Sequence, residues 1–316
     1  MKKIGFAENS FTSTNVNLAL LALFVWAALI YAILLSPDHA GFIETNLNTE
    51  LRMDFVNVGE GDSILIRTPK GRTFLVDGGS NVTPTEAKNQ RRNLIQNYLY
   101  SKNIRNIDGI VITHWHNDHL GGIVSVLKLF QVGVIYEVPA GVKTDVYHEY
   151  ENLCKKHNIK RISIKAGMKL EWGDELFAQV LHPEDTYASD KNSEIHDDSV
   201  VIALRYGKVQ TLLCGDVEED GERELLKYND TLKSQIIKIP NHGADISANK
   251  SFLEMVGANA AIVSVGWNNP FKYPGVKTLE TLENIGTKVY RTDVDGNILV
   301  TIGGREENDF KITVDR

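Results

Sequence analysis

Cysteine is nearly missing from this sequence. Only Cys154 and Cys214 are present, and neither falls in a Cys-x-x-Cys or zinc-ribbon spacing, so a cysteine-ligated structural metal is excluded. A bond between the two stays open, and the redox compartment is therefore left unassigned. Cys214 closes the apolar run TLLC and reads as a small buried hydrophobe. A positive balance is also lacking: 34 Lys and Arg stand against 41 Asp and Glu, for a formal charge of -7. That argues against a generic nucleic-acid coat and leaves only local basic patches. Internal repeats and low-complexity tracts are absent too. What remains, 42% hydrophobic and 24% charged residues over 316 positions, has the make-up of a globular chain with ample length to bury a core.

Long apolar runs are equally scarce, with one exception. Leu18 to Leu35 is unbroken, contains Trp26 and Tyr31, and carries no charge. It is long enough to cross a bilayer and predicts a transmembrane anchor. Lys2 and Lys3 precede it while Asp38, Glu44 and Glu50 follow, so the positive-inside rule places residues 1–17 in the cytoplasm and the body outside. A cleaved signal peptide is the competing reading, disfavoured by the length of the run and by SPDHA, a poor cleavage site. The expected organisation is a tail at 1–17, an anchor at 18–35, a linker at 36–50 and one domain at 51–316. A single spanning segment gives no channel through which the chain could itself conduct a polymer.

Beyond residue 50 compact apolar strands alternate with glycine-rich turns. Strands are expected at Arg52–Val58, Ser63–Thr68, Thr73–Val76, Gly109–Thr113, Val134–Val138, Phe177–Leu181, Val200–Tyr206 and Val209–Cys214. Later ones are expected at Ile236–Ile239, Ala260–Val263, Lys288–Arg291, Ile298–Ile302 and Phe310–Val314. Helical periodicity fits Thr85–Tyr100, Leu120–Phe130, Asp145–His157, Glu218–Lys227, Ser251–Val256 and Val276–Asn284. Interleaved strands and helices make the class α/β or α+β.

The chemistry concentrates in IVITHWHNDHLGG. His114, His116, Asp118 and His119 follow an apolar strand and precede a helix, and a turn there lets alternate side chains converge while their neighbours face away. Gly121 and Gly122 permit close backbone approach beneath them. H-x-H-x-D-H followed by Gly-Gly resembles the signature of the metallo-β-lactamase superfamily. That resemblance implies an α+β, four-layer αββα sandwich, here preceded by a single transmembrane helix. It also implies two divalent metal ions. In the family's pattern His114, His116 and His196 hold one ion and Asp118, His119 and His242 the other, with Asp216 bridging. Asp77, in FLVDGG, corresponds to the acidic residue that orients ligands from below. His39, His148, His157 and His182 have no such context and read as linker, helix-face or structural histidines.

A narrower likeness, over residues 51–303, is to the metallo-β-lactamase-like domain of the ComEC competence proteins. FVNVGEGDSILI, HPED with HDDSVVI, GDVEEDGERELL, IPNHGADIS, IVSVGWNNPFKYP and RTDVDGNI carry it. The chain departs from that pattern at Glu60, at Asn241, at Tyr273 and within His114–His119, where the form is nearer the general superfamily. None of these removes an expected ligand. The likeness implies substrate contacts from Ser247, Asn268, Asn269 and Tyr273.

Two ions about 3.5–4 Å apart can share a water, lower its pKa and clamp a forming oxyanion, so hydrolysis by a bridging hydroxide is expected, with Asp118 steering the nucleophile. Zinc suits such ligands, and manganese or iron is compatible. The expected activity is that of an extracytoplasmic, membrane-anchored phosphodiesterase or nuclease. Its substrate would be a phosphodiester such as single-stranded DNA, and a DNA-uptake or envelope protein its partner. Hydrolysis of a phosphorylated envelope lipid or polymer, and a non-catalytic binding module stabilised by metal, are the alternatives.

Overall fold

The computed structural model describes residues 21, 23–28, 31, 49–82, 84–89, 93–140, 143–173, 176–184 and 196–315. Thr49–Arg316 forms one compact unit and Met1–Asn48 another. Most of the expected anchor Leu18–Leu35 lies outside the described residues. Those of it that are described are helical, and among the described residues no helix is long and apolar enough to cross a membrane. The expected tail and all but the last residues of the linker also lie outside them.

The larger unit is built on two sheets. The first contains β1 (Leu51–Phe55), β2 (Ile64–Arg67), β3 (Thr73–Val76), β4 (Asn106–Val111), β5 (Gln131–Glu137) and β6 (Lys160–Ser163). It is completed by a C-terminal hairpin of β14 (Asn297–Ile302) and β15 (Phe310–Asp315). Its order is β15-β14-β1-β2-β3-β4-β5-β6. The second contains β7 (Lys169–Leu170), β8 (Leu176–His182), β9 (Val201–Tyr206), β10 (Val209–Leu213), β11 (Ile236–Lys238), β12 (Ala260–Val263) and β13 (Lys288–Arg291), in the order β13-β12-β11-β10-β9-β8-β7. The described helices are α1 (Pro84–Asn89), α2 (Ile95–Ser101), α3 (Asn117–Leu129), α4 (Asp145–Lys156), α5 (Glu219–Leu225), α6 (Lys250–Val256), α7 (Val276–Asn284) and α8 (Thr292–Asp295).

Period-two burial explains the layering. Along β9, Ile202 and Leu204 join the core that contains the first sheet, whereas Val201 and Ala203 join a second core with Leu225, Phe252, Leu253 and Leu282 from α5, α6 and α7. Helix α3 buries Leu120, Ile123, Val124, Val126 and Leu127 in the core of the first sheet. Phe74 on β3 and Trp172 beyond β7 tie the two sheets together, with stacked rings 4.6 Å apart.

Most expected strands occur within a few residues of their expected limits. Two were not foreseen, β6 and β7: the first is the half-exposed edge strand KRIS and the second is only two residues long. The expected helix Thr85–Tyr100 is instead two helices. Between them the Asn93 N–H leaves the helical ladder to donate to Asn57 O at 2.7 Å. The helix expected over Glu218–Lys227 turns into a 3-10 segment from Leu226. Cys154 and Cys214 are both free and buried, Cys214 within the second core.

Two measurements check this packing. Trp172→Ala is expected to cost about 3–5 kcal/mol in chemical denaturation, because it empties the space between the sheets. Glu222, buried on α5, accepts from the Ala248 and Asn249 backbone N–H groups and from Asn249 Nδ2, and so ties α5 to the start of α6. Burial pushes its carboxyl up from 4.5 to about 7, which the three donors only partly offset. A raised folded-state pKa means that stability is fully present below pH 4.5 and is lost as pH rises through about 7. Relative to Glu222→Gln, the wild type should therefore lose on the order of 1–3 kcal/mol across that interval, read from urea curves at each pH. Parallel curves for the two proteins would remove Glu222 from the account.

Candidate metal centre

The site is assembled at the carboxyl ends of parallel strands, where an open sheet leaves its backbone groups and loops free to carry chemistry. Asp77 follows β3, His114 and His116 lie between β4 and α3, Asp118 and His119 are in the first turn of α3, Asp216 follows β10, His242 follows β11, and Ser264 follows β12. His196 and Asp62 approach from the segments leading into β9 and β2. In the motif His114 and His116 face the centre. Trp115, between them, is buried the other way against Tyr147 and Tyr150 and donates to Val138 O at 3.1 Å. Gly122 lets the first turn of α3 sit on the loop after β3, since a Cβ there would lie 1.9 Å from Gly78 O.

All seven expected ligands come together, in two groups. Nitrogens of His114, His116 and His196 lie within 4.8 Å of one another, as do donor atoms of Asp118, His119, Asp216 and His242. Asp216 Oδ2 stands between the groups, 3.1 Å from His119 Nε2, 3.1 Å from His242 Nε2 and 3.9 Å from His114 Nε2. Four of the five histidines commit one nitrogen to the protein and keep the other for the centre. His119 Nδ1 meets Asp77 Oδ2 at 2.8 Å, His242 Nδ1 meets Ser264 O at 2.9 Å, His196 Nδ1 meets Glu218 Oε1 at 2.6 Å and His114 Nδ1 meets Thr113 Oγ1 at 3.2 Å. Asp77 is itself held by Thr113, through Oγ1 at 2.6 Å and the backbone N–H at 2.9 Å.

The donor set fits divalent cations. His242 Nε2 and Asp216 Oδ1 are buried with no hydrogen-bond partner, an arrangement that is costly unless a cation takes them up. The charges already lean the same way. Burial would raise the Asp216 carboxyl, but His242 and His119 outweigh it and hold the group well below the usual range. Burial would lower His119 and His242, but Asp216 and its neighbours raise both well above an ordinary imidazole. His114, among other histidines, is pushed well down by burial. One half of the centre thus holds imidazoles without a carboxylate among them, His196 being raised, against its burial, by Glu218 and Asp216, and the other holds a carboxylate pair that attracts positive charge. Asp118 is the member of its group open to solvent, its side chain 29% exposed, as His196 is at 30% in the other group.

Sequence reasoning missed three participants. Lys238, fully buried on β11, pairs with Asp62, donates to Gly215 O at 3.0 Å and lies 3.6 Å from Asp216 Oδ1. Asp62 and Asp77 form a third acidic group with His119. Glu218 accepts from Asn241 Nδ2 at 2.9 Å as well as meeting His196. The signals were there, a lysine inside the apolar run IIKI and an acidic residue after a glycine in GEGDS, but each gains meaning only from a partner far away in sequence. The expected substrate contacts divide. The Ser247 hydroxyl is buried and donates to Ala244 O at 3.0 Å. The Asn269 amide closes its own loop onto Gly266 and Tyr273. Asn268 is exposed on the rim, and Tyr273 stacks on Phe271, its ring 6.4 Å from that of His242. His182 is structural, with Nδ1 3.0 Å from Ser199 O, and His148 and His157 are exposed on and just past α4. His39 lies outside the described residues.

Residues 56–153 match the sequence model of the metallo-beta-lactamase superfamily. Over those residues the chain is similar to the metallo-β-lactamase superfamily, and over most of its length it is similar to competence proteins. It is 27% identical over 267 residues to ComE operon protein 3 of Bacillus subtilis (strain 168), covering 81% of this chain and 34% of that protein. It is 28% identical over 283 residues to competence protein ComA of Neisseria gonorrhoeae, covering 88% and 36%. Recombination protein 2 of Haemophilus influenzae is 28% identical over 250 residues, covering 79% and 28%. The chain thus spans about a third of the length of the curated relatives it matches.

Lys238 gives the candidate metal centre a test that does not depend on turnover. Lys238→Met leaves Asp62 and Asp216 buried together without their counter-charge and is expected to cost about 3–5 kcal/mol in urea unfolding with chelator present. Added divalent metal should restore part of that loss, because a bound cation supplies the missing charge. An unchanged midpoint in chelator would show that the lysine does not hold these carboxylates.

Proposed function

We propose that this domain is a binuclear metal-dependent hydrolase acting on phosphodiesters, a nuclease-like activity on single-stranded DNA included. The observation that carries the reading is the position of Asp216 Oδ2, within 3.1–3.9 Å of histidines from both ligand groups. His114, His116 and His196 would hold one divalent ion, Asp118, His119 and His242 the other, and Asp216 would touch both. Zinc suits this mixture best, with manganese or iron compatible. Such ions supply a water acidified toward neutrality and positive charge against the extra negative charge of a phosphoryl transition state. The protein's own residues do the rest. Asp77 and Thr113 lock His119, Glu218 locks His196, and Lys238 fixes Asp216. Asp118, open to solvent, is placed to take the proton of the attacking water and to steer it. Tyr273 and Asn268 stand on the rim, where substrate oxygens would enter.

The competence proteins among the relatives support a role in DNA uptake. The apolar run Leu18–Leu35, flanked by Lys2 and Lys3 before and Asp38 after, supports a single-pass anchor with the hydrolase domain outside the cytoplasm. An anchored domain of this kind would act beside an uptake or envelope partner protein.

The test is hydrolysis of bis-p-nitrophenyl phosphate and labelled single-stranded DNA by the full chain, with metal content measured. Metal-dependent cleavage of both is expected, with Asp118→Ala lowering turnover by about 10²–10⁴-fold. Tyr273→Phe should lower turnover with no loss of metal. Two metals bound with neither substrate cleaved would overturn the phosphodiesterase reading and favour an envelope ester or a binding module.

A further inference from the structure

A cavity of about 310 Å³ opens beside the metal centre, walled by Gly59, Glu60, Asn89, Trp267, Asn268 and Pro270. It joins the site on two sides. The glycine after Glu60 rests on the motif, where a Cβ on Gly61 would lie 2.0 Å from Asp118 O. The opposite wall begins at Gly266, two residues past the Ser264 carbonyl that holds His242.

Glu60 is the one ionisable side chain among the residues that line the cavity. Its Oε2 takes the Gly266 N–H at 3.4 Å, a long bond, and its Oε1 is buried with no hydrogen-bond partner. No described lysine or arginine forms an ion pair with it, and burial holds its carboxyl above the usual range, which His242, claimed by the metal centre, only partly offsets. A half-buried carboxylate with an unused oxygen is stabilised by a donor that brings charge with it, whereas a neutral donor leaves the charge uncompensated. Beside it in the cavity wall is the indole of Trp267, 44% exposed. Aromatic faces attract cations, and an ammonium group offers three donors in little space. An anionic or purely apolar occupant would meet Glu60 with no compensation.

We propose that this cavity receives an ammonium group carried by the substrate near its scissile phosphodiester, with Glu60 as counter-ion and Trp267 as an aromatic wall. The proposal rests on the phosphodiesterase reading and narrows it to aminated esters. The ammonium could belong to an amino-alcohol headgroup or to an amino sugar of a polymer, since both present the same chemistry to Glu60.

Two chromogenic diesters of like size decide the matter, p-nitrophenyl 2-aminoethyl phosphate and p-nitrophenyl ethyl phosphate, hydrolysed by the metal-loaded full chain. The wild type should favour the aminoethyl ester by about tenfold in kcat/KM, expressed in KM, the scale of one buried charge–aromatic contact. Glu60→Gln should bring that ratio close to one, and Trp267→Ala should lower it. Cleavage of both esters without preference, or a preference that survives Glu60→Gln, overturns the ammonium site and leaves the hydrolase reading standing. If neither ester is cleaved the hydrolase reading fails, and the site is judged by binding instead. Tryptophan fluorescence is then titrated with 2-aminoethyl phosphate and with ethyl phosphate, Trp267→Phe identifying the signal. Saturation by the amino compound alone, lost in Glu60→Gln, upholds the site, and equal responses reject it. With a preference in hand, the same comparison on an aminoethyl phospholipid in vesicles and on an amino-sugar phosphate polymer separates the two sources.

Discussion

The arrangement around the metal centre depends on neutralising buried carboxylates. Asp62, Asp77 and Asp216 are all 1% exposed or less and cluster about His119 and Lys238. Three desolvated negative charges so close together are tolerable only if positive groups are fixed beside them, because desolvation alone costs several kcal/mol per ion. Lys238 is one such group and stays protonated there, since Asp62 and Asp216 outweigh its burial. Its place follows from the sheet: β10 pairs in parallel with β11, with Leu213 opposite Lys238, so the lysine arrives beside the turn that carries Gly215 and Asp216. The charge balance is thus written into strand register.

The same requirement accounts for backbone in unusual conformations. Asp77, Asn241 and His242 have φ of 56°, 42° and 51°, left-handed values that non-glycine residues adopt at a cost. Asp77 directly follows β3, and Asn241 and His242 lie within four residues of the end of β11, where the chain turns sharply for a side chain to reach the centre. Asn241 gains in return a hydrogen bond from its amide to Glu218, and Glu218 in turn holds His196. The turn after β11 therefore sets ligands in both groups, His242 directly and His196 through Glu218.

Much of this was legible in the sequence, and what was not shares a physical character. The core strands showed because the alternation along β14 and the unbroken apolar run that opens β9 are local patterns. The edge strand β6 did not, because KRIS is half exposed and carries no alternation to detect. The run from Thr85 to Tyr100 has helical periodicity throughout, yet Asn93 is drawn out of the helix by Asn57, a contact 36 residues away in the chain. The ligands between His114 and His119 stood out because four donors fall in one turn. Lys238 looked like an interruption in a strand and Glu218 like the start of a helix, and only the folded pairing gives either a role. Glu60 differs again: the sequence marked it as a departure without saying what it faces.

The two halves of the centre are not equivalent, and the asymmetry bears on how the site would work. The group of His114, His116 and His196 contains no carboxylate, and two of its three members are partly open to solvent. The group of Asp118, His119, Asp216 and His242 carries two carboxylates and is closed except at Asp118. Positive charge is therefore held more firmly on the carboxylate side, backed by Asp77 and screened from water. The exposed Asp118 marks the side from which a water and a phosphoryl group can approach. The cavity at Glu60 adjoins that side, through the contact of Gly61 with the Asp118 backbone. A substrate that entered there would place its phosphoryl group and its neighbouring substituent in environments of opposite charge. On the proposed reading, adjacent loops would supply both a means of activating water and a means of choosing which ester is presented to it.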